Sequence, residues 1–105
     1  MATRVKIREI TEKIKKEYKP EKIILFGSYA WGKPRQWSDV DLFIVKKSRK
    51  RRIYREYELR KKLFGNNFPP MDLLIYTPAE LKKRIDIKDF FIGDILSKGK
   101  VLYEK

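Results

Sequence analysis

The sequence predicts a single domain, residues 1–105, of the α/β (α+β) class, with a small mixed sheet of three to four strands flanked by helices. Two observations predict it. Segments with apolar residues at helical spacing alternate along the chain with short apolar runs rich in β-branched and aromatic residues. Prolines and glycines separate these segments, and the chain shows no internal repeat or linker. The expected order of elements is α-β-α-β-α-β-α-α.

The first half of the chain is expected to contain two strands. Apolar residues recur at helical spacing over Arg4–Tyr18, and this helix should end before Pro20. The run Lys22–Phe26, bounded by a proline and a glycine, is typical of a buried strand. The glycine opens the next element, residues 33–38 form a turn-rich loop, and Asp39–Val45 is the second strand.

A longer helix is expected between the second and third strands. Four of its residues should line one helical face, with Leu63 beside them: Ile53, Tyr57, Arg60 and Phe64. Gly65 then stops the helix, because glycine readily adopts the left-handed conformation of a helix C-terminus. The third strand, Met71–Tyr76, is fenced by prolines.

Two helices are expected after the third strand. Pro78 can start a short helix with Leu81 and Ile85 facing inward. Apolar residues at helical spacing predict the last helix: Phe90, Phe91, Ile92, Ile95 and Leu96. Gly99 should end it, and Lys100–Glu104 is then either a final short strand or an extended tail.

The residue types present restrict the chemistry of the chain. Its 105 residues include no Cys and no His, so any acid–base or metal chemistry must use carboxylates. The balance of 27 Lys+Arg against 14 Asp+Glu gives a net charge of +13, which favours a polyanionic partner. No apolar run approaches the about 20 residues that span a bilayer, and the charged residues 1–10 do not resemble a signal peptide. We therefore expect a cytoplasmic protein that does not contact a membrane.

The stretch Ile24–Pro34 carries glycines at the spacing of a phosphate-binding P-loop but does not fit one. The P-loop pattern is G-x-x-x-x-G-K-[ST], and here Gly27, Gly32 and Lys33 are followed by Pro34. Pro34 has no hydroxyl group to hold Mg²⁺. Its ring also disfavours a helical conformation at Lys33, where the helix of a P-loop begins. A P-loop ATPase is therefore not expected.

Three aspartates form a second pattern. Asp39 and Asp41 are two residues apart in a predicted strand, so both side chains should point to the same face of the sheet. Asp72 is a lone acid among the apolar residues of the third strand. Carboxylates on adjacent strands make a hard-oxygen site suited to Mg²⁺ or Mn²⁺. Taken singly, Asp39 could instead be a loop-end cap, and Asp41 and Asp72 could be partners of some of the many Lys and Arg residues.

Gly27 and Ser28 strengthen the metal interpretation. Gly27 would let the backbone approach a phosphate closely, and Ser28 could cap a helix whose free N–H groups face an anion. Ten residues separate Ser28 from Asp39, in the order Gly-Ser, ten residues, Asp-x-Asp. With Asp72 on a later strand, this pattern resembles the signature of a minimal nucleotidyltransferase of the DNA polymerase β superfamily. The resemblance covers nearly the whole chain and implies the nucleotidyltransferase fold.

The resemblance also implies a mechanism and a set of site residues. Gly27 and Ser28 would hold the β- and γ-phosphates of ATP or another NTP, and Asp39 and Asp41 would bind two Mg²⁺ (or Mn²⁺) ions. Asp72 would help to bind the catalytic metal and favour deprotonation of an acceptor hydroxyl group. That hydroxyl would attack the α-phosphate in line and release pyrophosphate.

The sequence departs from the resembled pattern beside Gly27 and Ser28. Many relatives carry Arg where this chain has Tyr29 and Trp31. Lys33 or Arg35 could instead supply the positive charge for the phosphates. Tyr29 and Trp31 are expected to pack in the core rather than to stack on a base.

A basic run follows the second strand. It contains six cations in seven residues: Lys46, Lys47, Arg49, Lys50, Arg51 and Arg52. This run could bind RNA, the phosphates of the nucleotide or an acidic partner. The alternative is a solvated start of a helix, although positive charge opposes the helix dipole there.

The resemblance implies a partner as well. Small chains of this family are often antitoxins paired with an all-helical HEPN-type ribonuclease toxin, and some transfer AMP to a tyrosine of that toxin. A type VII-like antitoxin with protein adenylyltransferase activity is therefore expected, in a homo- or hetero-oligomer. Two alternatives remain: a catalytically silent antitoxin that neutralises its partner by complex formation, and a basic module that binds nucleic acid.

Overall fold

Four helices and four strands form the part of the chain that the computed structural model describes, residues 3–35 and 38–105. The helices are α1 (Arg4–Tyr18), α2 (Arg52–Leu63), α3 (Pro78–Asp86) and α4 (Phe90–Lys98). The strands are β1 (Lys22–Phe26), β2 (Val40–Val45), β3 (Met71–Tyr76) and β4 (Lys100–Glu104). The predicted α/β class is confirmed, and Lys100–Glu104 is a strand rather than a tail. Part of the predicted loop over residues 33–38 and the first two residues of the N-terminal stretch lie outside the described residues.

The strands form one mixed sheet in the order β3-β2-β1-β4. β1 is antiparallel to both β2 and β4, whereas β2 and β3 are parallel. The parallel pair is connected through α2, as parallel strands need a crossover. The end of β1 and the starts of β2 and β3 therefore lie at one edge of the sheet, which the registers place close together.

Apolar side chains alternate between the two faces of the sheet. In β2, Val40, Leu42 and Ile44 belong to a cluster with residues of α1 and α2. Phe43 and Val45 belong to a second cluster, on the opposite face, with Ile92 and Ile95 of α4. Helices therefore cover both faces of the sheet, and successive side chains of β2 alternate between them. Among the described residues, no helix has the length and apolar character needed to cross a membrane.

The residues after β1 form a hydrogen-bonded turn, not the helix that was expected there. The amide N–H groups of Ala30 and Trp31 both donate to the carbonyl oxygen of Gly27 at 3.0 Å. Gly32 has a left-handed φ of +81°, and Pro34, which lacks an N–H group, follows it. These residues stop the turn before a second helical turn can form. The expectation that Ser28 caps a helix is therefore wrong.

The buried face of α2 is not the predicted one. Arg55, Leu59 and Leu63 are buried, whereas three of the four residues predicted to share an apolar face are more than half exposed: Ile53, Tyr57 and Phe64. The fourth, Arg60, lies at the surface. Arg55 is inside because its guanidinium group donates to both carboxylate oxygens of Glu80, at 2.7 and 2.9 Å, and to the carbonyl oxygen of Ile75.

The first turn of α3 is fixed by Glu80. This residue completes a capping box with Thr77 and also holds Arg55. Leu81 packs against the second cluster, as predicted, but Ile85 is half exposed. The prediction that Ile85 faces inward is wrong, because this side chain lies at the surface beside Gly93 and Leu96 of α4 rather than over the sheet.

Candidate active site

Two of the three predicted acids stand side by side on the sheet. Asp41 of β2 pairs with Phe26 of β1 on one side and with Asp72 of β3 on the other. Residues that pair directly across neighbouring strands point to the same face of the sheet, and neighbouring strands lie about 4.8 Å apart. Asp39 precedes β2, which begins at Val40, one residue later than predicted. The fold therefore brings the acids to one edge, beside the end of β1.

The three acids lack positively charged partners. Within residues 3–35 and 38–105, eleven of the 14 Asp and Glu residues form an ion pair with Lys or Arg. The three that do not are Asp39, Asp41 and Asp72. These three acids form no ion pair among the described residues even though the chain contains 27 Lys+Arg residues. The alternative that these acids serve as partners of Lys or Arg is therefore not seen in the described part of the chain.

Asp41 is the most enclosed of the three. It is half buried, whereas Asp39 and Asp72 are exposed. Burial, which is the largest cause, and the negative charges of Asp72 and Asp39 together raise the pKa of Asp41 from 3.8 to about 6. An ionised carboxylate at this position is costly in the absence of a neighbouring cation.

Gly27 lies directly against the Asp41 side chain. A Cβ atom at position 27 would come within 2.0 Å of Asp41 Oδ2 and 3.0 Å of Asp41 Cγ. Gly27 also has a φ of +75°, which disfavours residues with a side chain. Both the space and the backbone conformation therefore require glycine here, and the glycine places the turn against the carboxylate.

The turn after Gly27 exposes residues that could hold phosphate. Ser28 is partly exposed, and its carbonyl oxygen accepts from the amide of Lys33 at 3.1 Å. The side chains of Lys33 and Arg35 are exposed on the segment that follows. A phosphate at Gly27 and Ser28 would thus lie between the turn and the acids, with two cations nearby in sequence.

The two aromatic residues of the turn differ in their surroundings. Tyr29 packs against the core cluster that contains α1, as predicted. Trp31 is about half exposed, so the expectation that it packs in the core is wrong. The reason is that the turn directs Ala30 inward, at 7% exposure, and leaves the next side chain in solvent.

The three carboxylate groups are not arranged around one common point in the described structure. No three of the described His, Cys, Asp or Glu side chains are close enough together to hold a metal ion as they stand. Their chemistry nevertheless fits a divalent cation, since they are unpaired oxygen donors on neighbouring strands. Asp39 and Asp72 are exposed and form no ion pair within residues 3–35 and 38–105, so rotation about their side-chain bonds could bring their oxygens towards Asp41.

The basic run lies at the other edge of the sheet. Lys46 donates to the carbonyl oxygen of Tyr18 at 2.6 Å, and Lys47 pairs with Glu21, both beside the start of β1. The length of β2, at about 3.3 Å per residue, separates Lys46 from Asp39 by roughly 20 Å. Lys46 and Lys47 are therefore too distant to contact a phosphate at Gly27 of the same chain.

One feature next to the acids was not predicted from the sequence. The ring of Phe91 in α4 packs edge-on against Phe26, the residue that pairs with Asp41, with ring centroids 5.9 Å apart. Phe91 and Phe90 remain largely exposed. The spacing of Phe90 and Phe91 predicted that they lie in a helix, but it did not indicate that this helix begins beside the acids.

Comparison with known proteins identifies the family. Residues 8–105 match the family described as polymerase beta, nucleotidyltransferase. The chain belongs to this family. A protein of Methanocaldococcus jannaschii named "Putative protein adenylyltransferase" is 34% identical over 106 residues, which cover 92% of this chain and 69% of the relative. The predicted enzyme class, a nucleotidyltransferase, is thereby confirmed.

Two crystal structures share the fold of this nucleotidyltransferase. One is a protein of Sulfolobus solfataricus described as a putative nucleotidyltransferase, with a TM-score of 0.64, 21% identity, and coverage of 96% of this chain and 79% of that chain. The other is a mutant of the toxin–antitoxin complex MntA–HpeT, with a TM-score of 0.62, 21% identity, and coverage of 92% and 72%. The nucleotidyltransferase fold expected from the sequence is confirmed.

Proposed function

We propose that this nucleotidyltransferase transfers AMP from ATP to a hydroxyl group of a partner protein and requires Mg²⁺ or Mn²⁺. The observation that carries the proposal is that Asp39, Asp41 and Asp72 are the acids left without a cation in the described part of the chain. Family membership supports nucleotide transfer as the class of reaction. The name of the M. jannaschii relative supports AMP as the group and a protein as its acceptor.

The turn after β1 would hold the triphosphate. Gly27 and Ser28 would bind the β- and γ-phosphates, because Gly27 lets the backbone approach them without a Cβ atom between. Lys33 and Arg35 would add positive charge from the exposed segment behind the turn. Trp31, exposed on the same turn, is available to stack on the base.

The three acids would hold the metal and position the acceptor. Asp39, Asp41 and Asp72 would bind the divalent cations, which when bound stabilise charge on the attacking and leaving oxygens. Asp72 would favour loss of the proton from the acceptor hydroxyl. A bond then forms between the acceptor oxygen and the α-phosphorus, the bond between the α- and β-phosphates breaks, and pyrophosphate leaves. The chain has no His, so carboxylates supply all of its proton chemistry near neutral pH.

The proposed partner is a HEPN-type toxin with a tyrosine as the acceptor, which makes this chain a type VII-like antitoxin. The family resemblance and the likeness to the MntA–HpeT toxin–antitoxin complex support this assignment. The net charge of +13 favours an acidic face on the partner.

A labelling experiment tests the proposal. The chain is incubated with Mg²⁺, the purified protein encoded by the neighbouring gene, and ATP labelled at either the α- or the γ-phosphate. We expect label on the partner from α-labelled ATP only, and its loss in Asp39→Asn and Asp41→Asn. Asp86→Asn, which removes an acid paired with Lys82, should label like the wild type. Transfer of γ-label, or full activity in both site variants, would contradict the proposal.

A second function, neutralisation by binding alone, is favoured by apolar surface on α3 and α4. Five large apolar residues are exposed in and between these helices: Ile85, Ile87, Phe90, Phe91 and Leu96. Such a patch is typical of a protein interface. If binding alone suffices, Asp41→Asn should neutralise the toxin as well as the wild type, whereas Phe90→Ser should neutralise it less well.

A further inference from the structure

The outward side of α2 carries two exposed tyrosines. At about 100° per residue, Tyr54, Tyr57 and Lys61 lie opposite the buried stripe that begins at Arg55. Tyr54 is 60% exposed and Tyr57 is 65% exposed. Residues three apart on a helix have Cβ atoms about 5–6 Å apart. The two rings therefore stand side by side in solvent, where no described residue covers them.

Positive charge surrounds these tyrosines. Residues 46–62 contain ten of the 27 Lys+Arg residues and only two acids, Glu56 and Glu58. Both acids are already neutralised, Glu56 by Arg60 and Glu58 by Lys50. In the described part of the chain, five exposed cations of this segment form no ion pair: Arg49, Arg51, Arg52, Lys61 and Lys62. Their charge is available to an anion from outside.

A shallow groove of about 460 Å³ runs along this side of the helix. It is lined by Lys50, Tyr54, Tyr57, Glu58 and Lys61. The lining side chains are tyrosines and charged residues, whereas the exposed patch on α3 and α4 consists of apolar residues. Ile53, which is also exposed, lies one helical turn before Tyr57. Aromatic rings interleaved with unpaired cations match the chemistry of a polyanion with flat, stackable groups.

We propose that this surface, named here the α2 outer face and formed by Arg49, Arg51, Tyr54, Tyr57 and Lys61, binds single-stranded nucleic acid. Bases stack on the two tyrosines, and the cations contact the phosphates. α2 packs on the sheet face that Leu42 occupies, whereas Asp41 shares its face with Phe43. The α2 outer face is therefore separate from the candidate active site, and the inference does not rest on the proposed reaction.

The test uses the full chain and fluorescently labelled 12-nucleotide RNA and DNA of one mixed sequence, with binding followed by anisotropy. Tyr54→Ala with Tyr57→Ala should weaken binding by at least about 5-fold. Tyr54→Phe with Tyr57→Phe keeps the rings and should bind like the wild type. Displacement by inorganic polyphosphate, which has no bases, should depend on the cations but not on the tyrosines. The tighter of the RNA and DNA complexes identifies the natural strand.

Charge variants separate a specific surface from general attraction. Arg49→Gln with Arg51→Gln should weaken binding and lower the slope of log affinity against log salt concentration by about 1.4 for two phosphate contacts. Lys83→Gln with Lys88→Gln removes the same charge from the α3–α4 region and should change binding much less. Equal effects of the two charge pairs, or unchanged RNA affinity in the Tyr→Ala variant, would overturn the proposal.

Two further outcomes would also overturn it. Loss of RNA binding in Asp41→Asn would mean that the strand occupies the active-site edge instead. Preference for a poly-glutamate peptide over both RNA and DNA would mean that the α2 outer face binds an acidic protein. The residues substituted on the α2 outer face and in the α3–α4 region are exposed, so unchanged thermal unfolding should confirm that those variants are folded. Asp41→Asn should unfold at the same temperature as the wild type or at a higher one.

Discussion

Replacing Asp41 by Asn should stabilise the metal-free protein. Burial and the neighbouring acids raise the pKa of Asp41 from 3.8 to about 6 in the folded state. Each unit corresponds to about 1.4 kcal/mol, so the shift sets an upper value of about 3 kcal/mol for the cost of ionising Asp41 in the folded protein. Because the side chain keeps part of its surface in solvent, screening reduces this to about 1–2 kcal/mol.

The sign of the pH dependence follows from the direction of the shift. Below about pH 3.8 the carboxyl group is protonated in both the folded and the unfolded state, so it does not oppose folding. As the pH rises from about 3.8 to about 6, the unfolded chain releases this proton while the folded protein keeps it, so stability is lost over this range. Above about pH 6 Asp41 is ionised in both states and the loss is complete. The gain from Asp41→Asn should therefore be full at pH 7.5 and small at pH 4.

Thermal and urea unfolding in the presence of EDTA measure this gain. For a domain of this size, each kcal/mol raises the melting temperature by about 4–8 °C. Asp86→Asn is the matched control and should give no gain, because it removes an exposed acid that is paired with Lys82. A destabilised Asp41→Asn protein at pH 7.5, or the same gain at pH 4 as at pH 7.5, would refute the reasoning.

Four further substitutions, the first two a matched pair, test other parts of the structure. Gly27→Ala should destabilise the protein by at least about 1 kcal/mol, because Gly27 has a positive φ and the added Cβ atom would overlap the Asp41 carboxylate. Gly93→Ala should stabilise it by about 0.5–1 kcal/mol, because a Cβ atom at this position in α4 meets open space. Urea titrations of the two variants compare these effects. Tyr18→Phe should leave stability unchanged or raise it by up to about 1 kcal/mol, because the buried hydroxyl group of Tyr18 has no hydrogen-bond partner among the described residues. Burial also raises the pKa of Tyr18 to about 12. A clear loss in melting temperature would contradict this prediction. Glu80→Gln should lower the free energy of unfolding by about 2 kcal/mol at pH 7, because it removes the charge that pairs with the buried Arg55. The difference from the wild type should shrink as the pH falls from about 4.5 towards 2, where Glu80 itself becomes protonated. A difference that does not change with pH would argue against the ion pair.

Strands and acids were predictable because their signals are local. Lys22–Phe26 and Met71–Tyr76 are short apolar runs with prolines or a glycine at their ends, and the structure gives both strands the predicted bounds. Asp41 and Asp72 stand out as acids within such runs. The two-residue period of a strand then fixes which face they share.

The face of α2 was not predictable from local spacing. Arg55 is 4% exposed because it pairs with Glu80, 25 residues further along the chain. The spacing of apolar residues counts Arg55 as an exposed residue and therefore predicts that Ile53 and Tyr57 face the core. Because the ion pair with Glu80 buries Arg55, Ile53 and Tyr57 instead face solvent. The missing helix after β1 has a local cause instead, since the left-handed Gly32 ends the turn.

The central claim is that the unpaired acids at one edge of the sheet bind a divalent cation together with a nucleotide. Calorimetric titration of Mn²⁺ into the chain, with a non-hydrolysable ATP analogue present, tests it without any acceptor. We expect saturable binding in the wild type and in Asp86→Asn, and a loss of at least about 10-fold in affinity in Asp41→Asn. Equal affinity in all three proteins would contradict the claim.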